Sequence, residues 1–196
     1  MKRVFDLLFS LAGLILLSPI LLVISLCIAM FDGLPIFFRQ DRVGLNGAIF
    51  RLNKFRTMKV REGSDKGAFD AGSTARVTAI GYFLRKTKLD ELPQLINVFL
   101  GQMSLVGPRP EIKKWVDVYP ERWAKVHQVR PGITDPASII YRSEEDILST
   151  SDDPEMLYRN EILPHKLDLY EEYVENHGFL NDIKILLSTF YVLFSR

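Results

Sequence analysis

The chain of 196 residues carries 25 lysines and arginines, 24 aspartates and glutamates, three scattered histidines and one cysteine, Cys27. That length suits one domain with an appendage, its 47% hydrophobic content excludes wholesale disorder, and the lone thiol excludes a disulfide scaffold or a cysteine-based zinc site within one chain. The net charge of +1 hides a segregation, with residues 33–88 at +8 and residues 135–182 at −10, a basic third that suits nucleic acid, lipid headgroups or phosphorylated metabolites unless the acidic third simply neutralises it.

Residues 7–31 form an uncharged run of 25 positions. As a helix it would reach about 37 Å at ~1.5 Å per residue, enough for a hydrocarbon core of ~30 Å. A secretory signal would use Lys2 and Arg3 as its basic start, but the run is too long and no small-x-small site closes it. Leu26 ahead of Cys27 speaks against a lipoprotein signal, so the segment is expected to stay in the mature protein. Ser18-Pro19 divides it into pieces of twelve and thirteen residues. Pro19 removes a helix donor and crowds the preceding turn, so a kink or break is expected, and Ser18 can bond back to a freed carbonyl. Basic residues flank both sides (Lys2 and Arg3 before, Arg39 and Arg42 after), which favours keeping both ends cytoplasmic. A re-entrant hairpin and a Pro-kinked transmembrane helix both fit the residues alone.

One soluble body follows. Ile36-Phe37-Phe38-Arg39-Gln40 and Ala48-Ile49-Phe50-Arg51-Leu52 flank Leu45-Asn46-Gly47, the pattern of a β-hairpin. Residues 61–74 are rich in glycine, serine and aspartate and read as a loop, and a short helix is expected over residues 80–85. Leu89-Asp90-Glu91-Leu92-Pro93 reads as a helix start, with Leu92, Leu95, Ile96 and Phe99 following and Gly101 closing. Beyond Gly107-Pro108-Arg109-Pro110, an amphipathic stretch holds Trp115, Val116, Tyr119, Trp123 and Val126, which fits core packing or a membrane interface. Ile183, Leu186, Leu187, Phe190 and Phe194 mark a last helix with the same two readings. The sequence contains no internal repeat, P-loop or GxGxxG motif.

Asp90 and Glu91 are adjacent carboxylates, which project about 100° apart on a helix and so do not face each other as an acid/base pair. One could attack while the other holds a metal; capping a helix is the commoner use of such acids. Lys54, Arg56, Arg85, Lys86 and Lys88 lie nearby in sequence. Pro108 and Pro110 restrict the backbone on both sides of Arg109, which suits presentation of a guanidinium fork to phosphate. Cations gathered around carboxylates suit phosphoryl chemistry, where charge stabilisation dominates the barrier.

Taken together, these motifs resemble the bacterial sugar transferases, the small monotopic polyprenyl-phosphate phosphoglycosyl transferases. The resemblance runs from residue 1 to about residue 188 and rests on several spaced stretches. They are Lys2-Arg3, Ser18-Pro19, Arg39-Gln40-Asp41-Arg42-Val43-Gly44, Lys54-Phe55-Arg56-Thr57-Met58, Leu84-Arg85 and Leu89-Asp90-Glu91-Leu92-Pro93-Gln94-Leu95. Asn97-Val98, Met103-Ser104-Leu105-Val106-Gly107-Pro108-Arg109-Pro110, Val129-Arg130-Pro131-Gly132-Ile133-Thr134 and Asp182-Ile183-Lys184 complete them.

The resemblance implies an α+β fold, mainly helical with a small β-hairpin and surface amphipathic helices. Residues 1–34 would form a re-entrant membrane anchor, helix-break-helix at Ser18 and Pro19, and residues 35–196 a cytoplasmic catalytic domain. The implied reaction moves a sugar-1-phosphate from a UDP-sugar to undecaprenyl phosphate with release of UMP. Asp90 would be the nucleophile of a two-step, ping-pong transfer and Glu91 the Mg²⁺ ligand. Arg85 and Arg109 would hold diphosphate or nucleotide, helped by Lys54 and Arg56, with Asp182 also at a family position. Lys2 and Arg3 would meet phospholipid headgroups. The implied place is the cytoplasmic face of a bacterial inner membrane, in exopolysaccharide or lipopolysaccharide synthesis, with self-association and downstream glycosyltransferases as further partners and no nucleic acid. A non-catalytic membrane scaffold is the alternative. One departure stands out: Asp135-Pro136-Ala137-Ser138 replaces the Gly-Leu-Ala-Gln of many relatives, in a region expected to touch the sugar.

Overall fold

The computed structural model describes residues 1–60 and 76–194, so the loop expected at residues 61–74 lies outside the described residues. The apolar run forms α1 (Lys2–Cys27), continued by a wider π turn over Ile28–Asp32. Pro19 lies inside α1, so the expected break is not a gap in the helix. Proline at this position leaves the Ile15 carbonyl without its usual donor, and Ser18 Oγ donates to that oxygen at 2.8 Å. The backbone thus stays satisfied where water is scarce.

By length and composition this helix could cross a membrane, yet one stripe of it packs on protein. Asp6, Ser10, Ile24 and Ile28 are buried at helical spacing, and Leu95 packs against Gly13. Much of its remaining surface, including Leu8, Phe9, Leu16, Val23 and Phe31, is exposed.

Polar bonds hold both ends of the helix to the body. Lys2 Nζ donates to Asp182, to Tyr173 Oη at 3.3 Å and to the Val106 carbonyl at 3.0 Å. Arg3 donates to the Val98 and Phe99 carbonyls at 2.6 and 2.8 Å, and Asp6 Oδ1 accepts from Ser104 Oγ and Leu105 N, both at 3.1 Å. At the far end, Arg56 donates to the Asp32 and Gly33 carbonyls at 2.7 and 2.6 Å, and Thr78 Oγ1 donates to Asp32 Oδ2 at 2.7 Å.

The expected hairpin is present as β1 (Phe37–Val43) and β2 (Ile49–Phe55), antiparallel, with Phe37 opposite Phe55 and Val43 opposite Ile49. Its tight turn, Leu45–Gly47, needs positive φ at Asn46 (54°) and Gly47 (76°), which these residue types adopt readily. Helix α2 (Ala79–Thr87) starts at Thr78, whose Oγ1 accepts from Gly81 N at 2.9 Å. The expected helix start at Leu89 is instead a 3₁₀ turn over Leu89–Glu91, with α3 (Gln94–Phe99) beginning after Pro93. Fully buried Asn97 fastens α3 to β2, accepting from Asn53 N at 3.0 Å and donating to the Arg51 carbonyl at 2.7 Å.

A second sheet was not expected. Strands β3 (Ser104–Val106) and β4 (Gly132–Thr134) pair in parallel, each too short for a period-two pattern to register in sequence. Their junction forces Gly107 and Gly132 together: a Cβ on Gly132 would lie 2.1 Å from Gly107 N. Gly132→Ala is therefore expected to cost about 3 kcal/mol of stability, read as a fall in the denaturation midpoint; an unchanged midpoint would mean the two backbones can part freely.

The remaining helices are α4 (Lys113–Val116), α5 (Pro120–Val126), α6 (Pro136–Ile140), α7 (Glu144–Ser149), α8 (Pro154–Leu157), α9 (Leu163–Glu175) and α10 (Phe179–Phe194). Helices α4 to α9 enclose a core of Trp115, Trp123, Leu148, Leu163, Leu167 and Tyr170, so both tryptophans serve packing and not a membrane interface. In α10, Ile185 points inward while Leu187, Phe190 and Tyr191 are exposed. Of the residues expected to share one face, Leu186 packs against the core beside Ile185, while Leu187 and Phe190 are exposed. The architecture is mainly helical with small sheets, and α1 and α10 offer apolar surface outward.

Candidate active site

A cavity of about 1580 Å³ opens between these elements. Gly13 and Leu17 of α1 with Leu186 and Phe190 of α10 give it an apolar side, and Lys54, Asp90, Glu91 and Arg109 line its polar centre. The turn that presents the two carboxylates follows Lys88, which takes a left-handed conformation (φ 57°) and ends α2 abruptly.

The two acids have opposite environments. Asp90 is buried, and its Oδ1 has no hydrogen-bond partner. Burial pushes its carboxyl up, with Lys54 opposing and Glu91 adding to the rise. Glu91 Oε1 accepts from Lys54 Nζ at 2.8 Å and from Arg109 Nη2 at 2.5 Å, and Oε2 accepts from Arg109 Nη1 at 3.4 Å. Burial opposes its ionisation, but Arg109 and Lys54 outweigh burial and hold Glu91 well below the usual carboxylate range. Adjacent carboxylates driven apart in this way are chemically distinct: one oxygen is desolvated and unpartnered, and beside it sits an anion fixed by two cations.

No group of three His, Cys, Asp or Glu side chains suited to a metal occurs among the described residues. Mg²⁺ needs only one or two carboxylates where substrate phosphates complete its shell. A carboxylate offers about four acceptor sites; the three bonds above leave one on Glu91, and Asp90 Oδ1 is unpartnered. The pair fits a hard cation arriving with a diphosphate.

The other expected residues are dispersed. Arg85 lines the cavity and is held by Thr57 Oγ1 at 3.0 Å and by Glu145 at 3.2 Å. Arg56 also lines it, but its guanidinium caps the end of the α1 extension, so its part is first of all structural. Lys2, Arg3 and Asp182, expected at headgroups or substrate, are engaged with one another's elements: Lys2 pairs with Asp182, and Arg3 caps α3. None of the three lines the cavity. Asp135 is fully buried and caps α6, accepting from Ser138 N at 2.9 Å. The departure from the family pattern therefore acts by setting the α6 wall, where Ser138 and Ile139 face the cavity.

Several lining residues were not anticipated. Glu111 Oε2 accepts from Arg42 Nη1 at 3.1 Å and its Oε1 from Tyr158 Oη at 2.6 Å. Lys166 Nζ donates to Glu144 Oε2 at 2.8 Å. A sequence signal existed for Lys166: with Leu163, Leu167 and Tyr170 it occupies the inward stripe of α9, an unusual place for a lysine.

A sequence model of the bacterial sugar transferase family matches residues 1–196. A UDP-glucose:undecaprenyl-phosphate glucose-1-phosphate transferase of Klebsiella pneumoniae is 44% identical over 151 residues, covering 75% of this chain and 32% of the relative. The protein of that name in Escherichia coli (strain K12) is 37% identical, covering 96% of this chain and 39% of the relative. An uncharacterized sugar transferase of Bacillus subtilis (strain 168) is 38% identical, covering 96% and 85%. The chain thus spans well under half the length of the first two.

Proposed function

We propose, from the premise that this chain belongs to the bacterial sugar transferase family, that it transfers a sugar-1-phosphate from a UDP-sugar to undecaprenyl phosphate. The observation that carries this reading is the Asp90–Glu91 pair on a cavity that reaches the apolar side of α1, with Asp90 buried and its Oδ1 unpartnered while Arg109 and Lys54 hold Glu91.

In the first step an Asp90 oxygen attacks the β-phosphorus of the donor. The bond from that phosphorus to the UMP oxygen breaks, and UMP leaves with the electron pair. The phosphosugar remains on Asp90 as an acyl phosphate. In the second step an oxygen of the lipid phosphate attacks the same phosphorus, the bond to Asp90 breaks, and a lipid-linked diphosphosugar departs. Arg109 and Lys54 offset the charge gathered at the phosphorus. Mg²⁺ held at Glu91 would neutralise the diphosphate.

The tied ends of α1 support an anchor that dips into one leaflet and returns, on the cytoplasmic face of a bacterial inner membrane. The apolar side of the cavity then receives the polyprenyl chain, and the carboxylates stay at the depth of its phosphate. The test is UMP release from a panel of UDP-sugars with undecaprenyl phosphate and Mg²⁺. Release is expected with one donor or a few; a folded, membrane-bound chain that releases UMP from none would favour a scaffold.

A further inference from the structure

Arg42, Glu111, Tyr158, Lys166 and Glu144 also line the cavity and, linked by hydrogen bonds and a ring contact, form a polar recess in its wall. Lys166 is 3% exposed, yet it lines this space. Its ammonium donates to Glu144 at 2.8 Å and faces the Tyr158 ring at 5.2 Å. An ammonium has three donors, and one conventional hydrogen bond leaves it under-used, which is costly for a buried charge unless a ligand completes it. Glu144 keeps acceptor sites beside it, whereas Glu111 is occupied by Arg42 and Tyr158.

We propose that the Lys166–Glu144 pair reads the ring hydroxyls of the donor, making this recess the subsite for an uncharged sugar. The inference rests on the reaction proposed above. An ammonium and a carboxylate side by side match hydroxyl groups, each of which both donates and accepts. The carboxylates of Glu111, Glu144 and Glu145 are paired there with Arg42, Lys166 and Arg85, so the recess has no surplus positive charge to hold a phosphate or an acidic sugar. The nucleotide phosphates belong instead with Lys54 and Arg109. The recess adjoins the reacting centre through the chain itself: Arg42 Nη1 donates to Glu111 Oε2 at 3.1 Å and to the Pro110 carbonyl at 3.0 Å, next to the Arg109 that binds Glu91.

The experiment compares UDP-sugar with UDP binding by calorimetry, using the non-reacting Asp90→Asn chain in lipid nanodiscs. The donor selected by turnover is expected to bind more tightly than UDP. Adding Lys166→Met should remove that advantage, about a ten- to hundredfold loss, with UDP binding unchanged. Methionine fills a similar volume, and replacing one partner by an apolar isostere tests the charge; Glu144→Gln, which preserves shape, should weaken the same advantage. Deoxy donors lacking the hydroxyl that is read should bind weakly to the parent and lose nothing more in Lys166→Met. Equal losses for UDP and UDP-sugar would assign Lys166 to the nucleotide, and no loss in either variant would leave the pair structural; each overturns the proposal. A parent that binds UDP-sugar no better than UDP overturns it too. Failure to bind UDP at all would instead remove the reaction on which the subsite rests.

Discussion

Asp90→Asn is expected to lower UMP release about 10³-fold or more while leaving the protein as stable as wild type, or more so. The first effect follows from chemistry: an amide is a poor nucleophile for phosphorus and a poor leaving group from it. The second follows from linkage. Burial raises the Asp90 carboxyl above its unfolded value, so in that window the folded state binds more protons than the unfolded state. Stability therefore falls as pH rises from the unfolded value through the folded one, and above both the full cost of a buried charge is present. Asparagine removes that cost. Activity runs the other way, rising with pH through the same folded value as the reactive carboxylate forms. Release rates and denaturation midpoints of the two proteins across mildly acidic to neutral pH check both signs. Undiminished release in the variant would assign the attack to another group.

Arg109→Ala should act on stability and activity together. It strands Glu91 with Lys54 as its only cation among the described residues, in a site where Glu91 is 15% exposed at the side chain. Leaving a buried charge half-paired costs about 3 kcal/mol. Glu91 is depressed in the folded protein, so its contribution is present above the unfolded value and is lost as pH falls through the folded value. Without Arg109 the folded value rises, and acid unfolding should begin at higher pH than in wild type. Arg109→Lys should restore part of the charge but not the two-armed geometry. A denaturation profile in Arg109→Ala that overlays wild type at every pH would contradict the coupling.

Much of this arrangement is legible in the sequence. Asn46-Gly47 between apolar runs marked the hairpin because positive φ restricts which residues serve there. Ser18-Pro19 marked the point where a serine must replace a lost backbone donor, and Ser18 Oγ does bond Ile15. The motif resemblance singled out Asp90, Glu91 and Arg109, and the structure brings Glu91 and Arg109 into direct contact. What sequence could not supply is long-range pairing. The resemblance implies that Lys2 and Arg3 meet headgroups, but in the structure their partners lie about a hundred residues or more away, at Val98, Val106 and Asp182. The β3–β4 pair was invisible for the same reason, and Lys166 was overlooked within an acidic stretch although its position on the inward stripe of α9 was readable.

In the proposed reaction the phosphosugar passes through Asp90. The most direct test is the mass of the intact protein after mixing with the productive UDP-sugar and Mg²⁺ in the absence of undecaprenyl phosphate. A gain equal to one sugar-phosphate is expected, located on the peptide containing Asp90 and discharged when the lipid phosphate is added. A protein of unchanged mass that still turns over once the lipid is present would contradict it, because the lipid would then attack the donor directly.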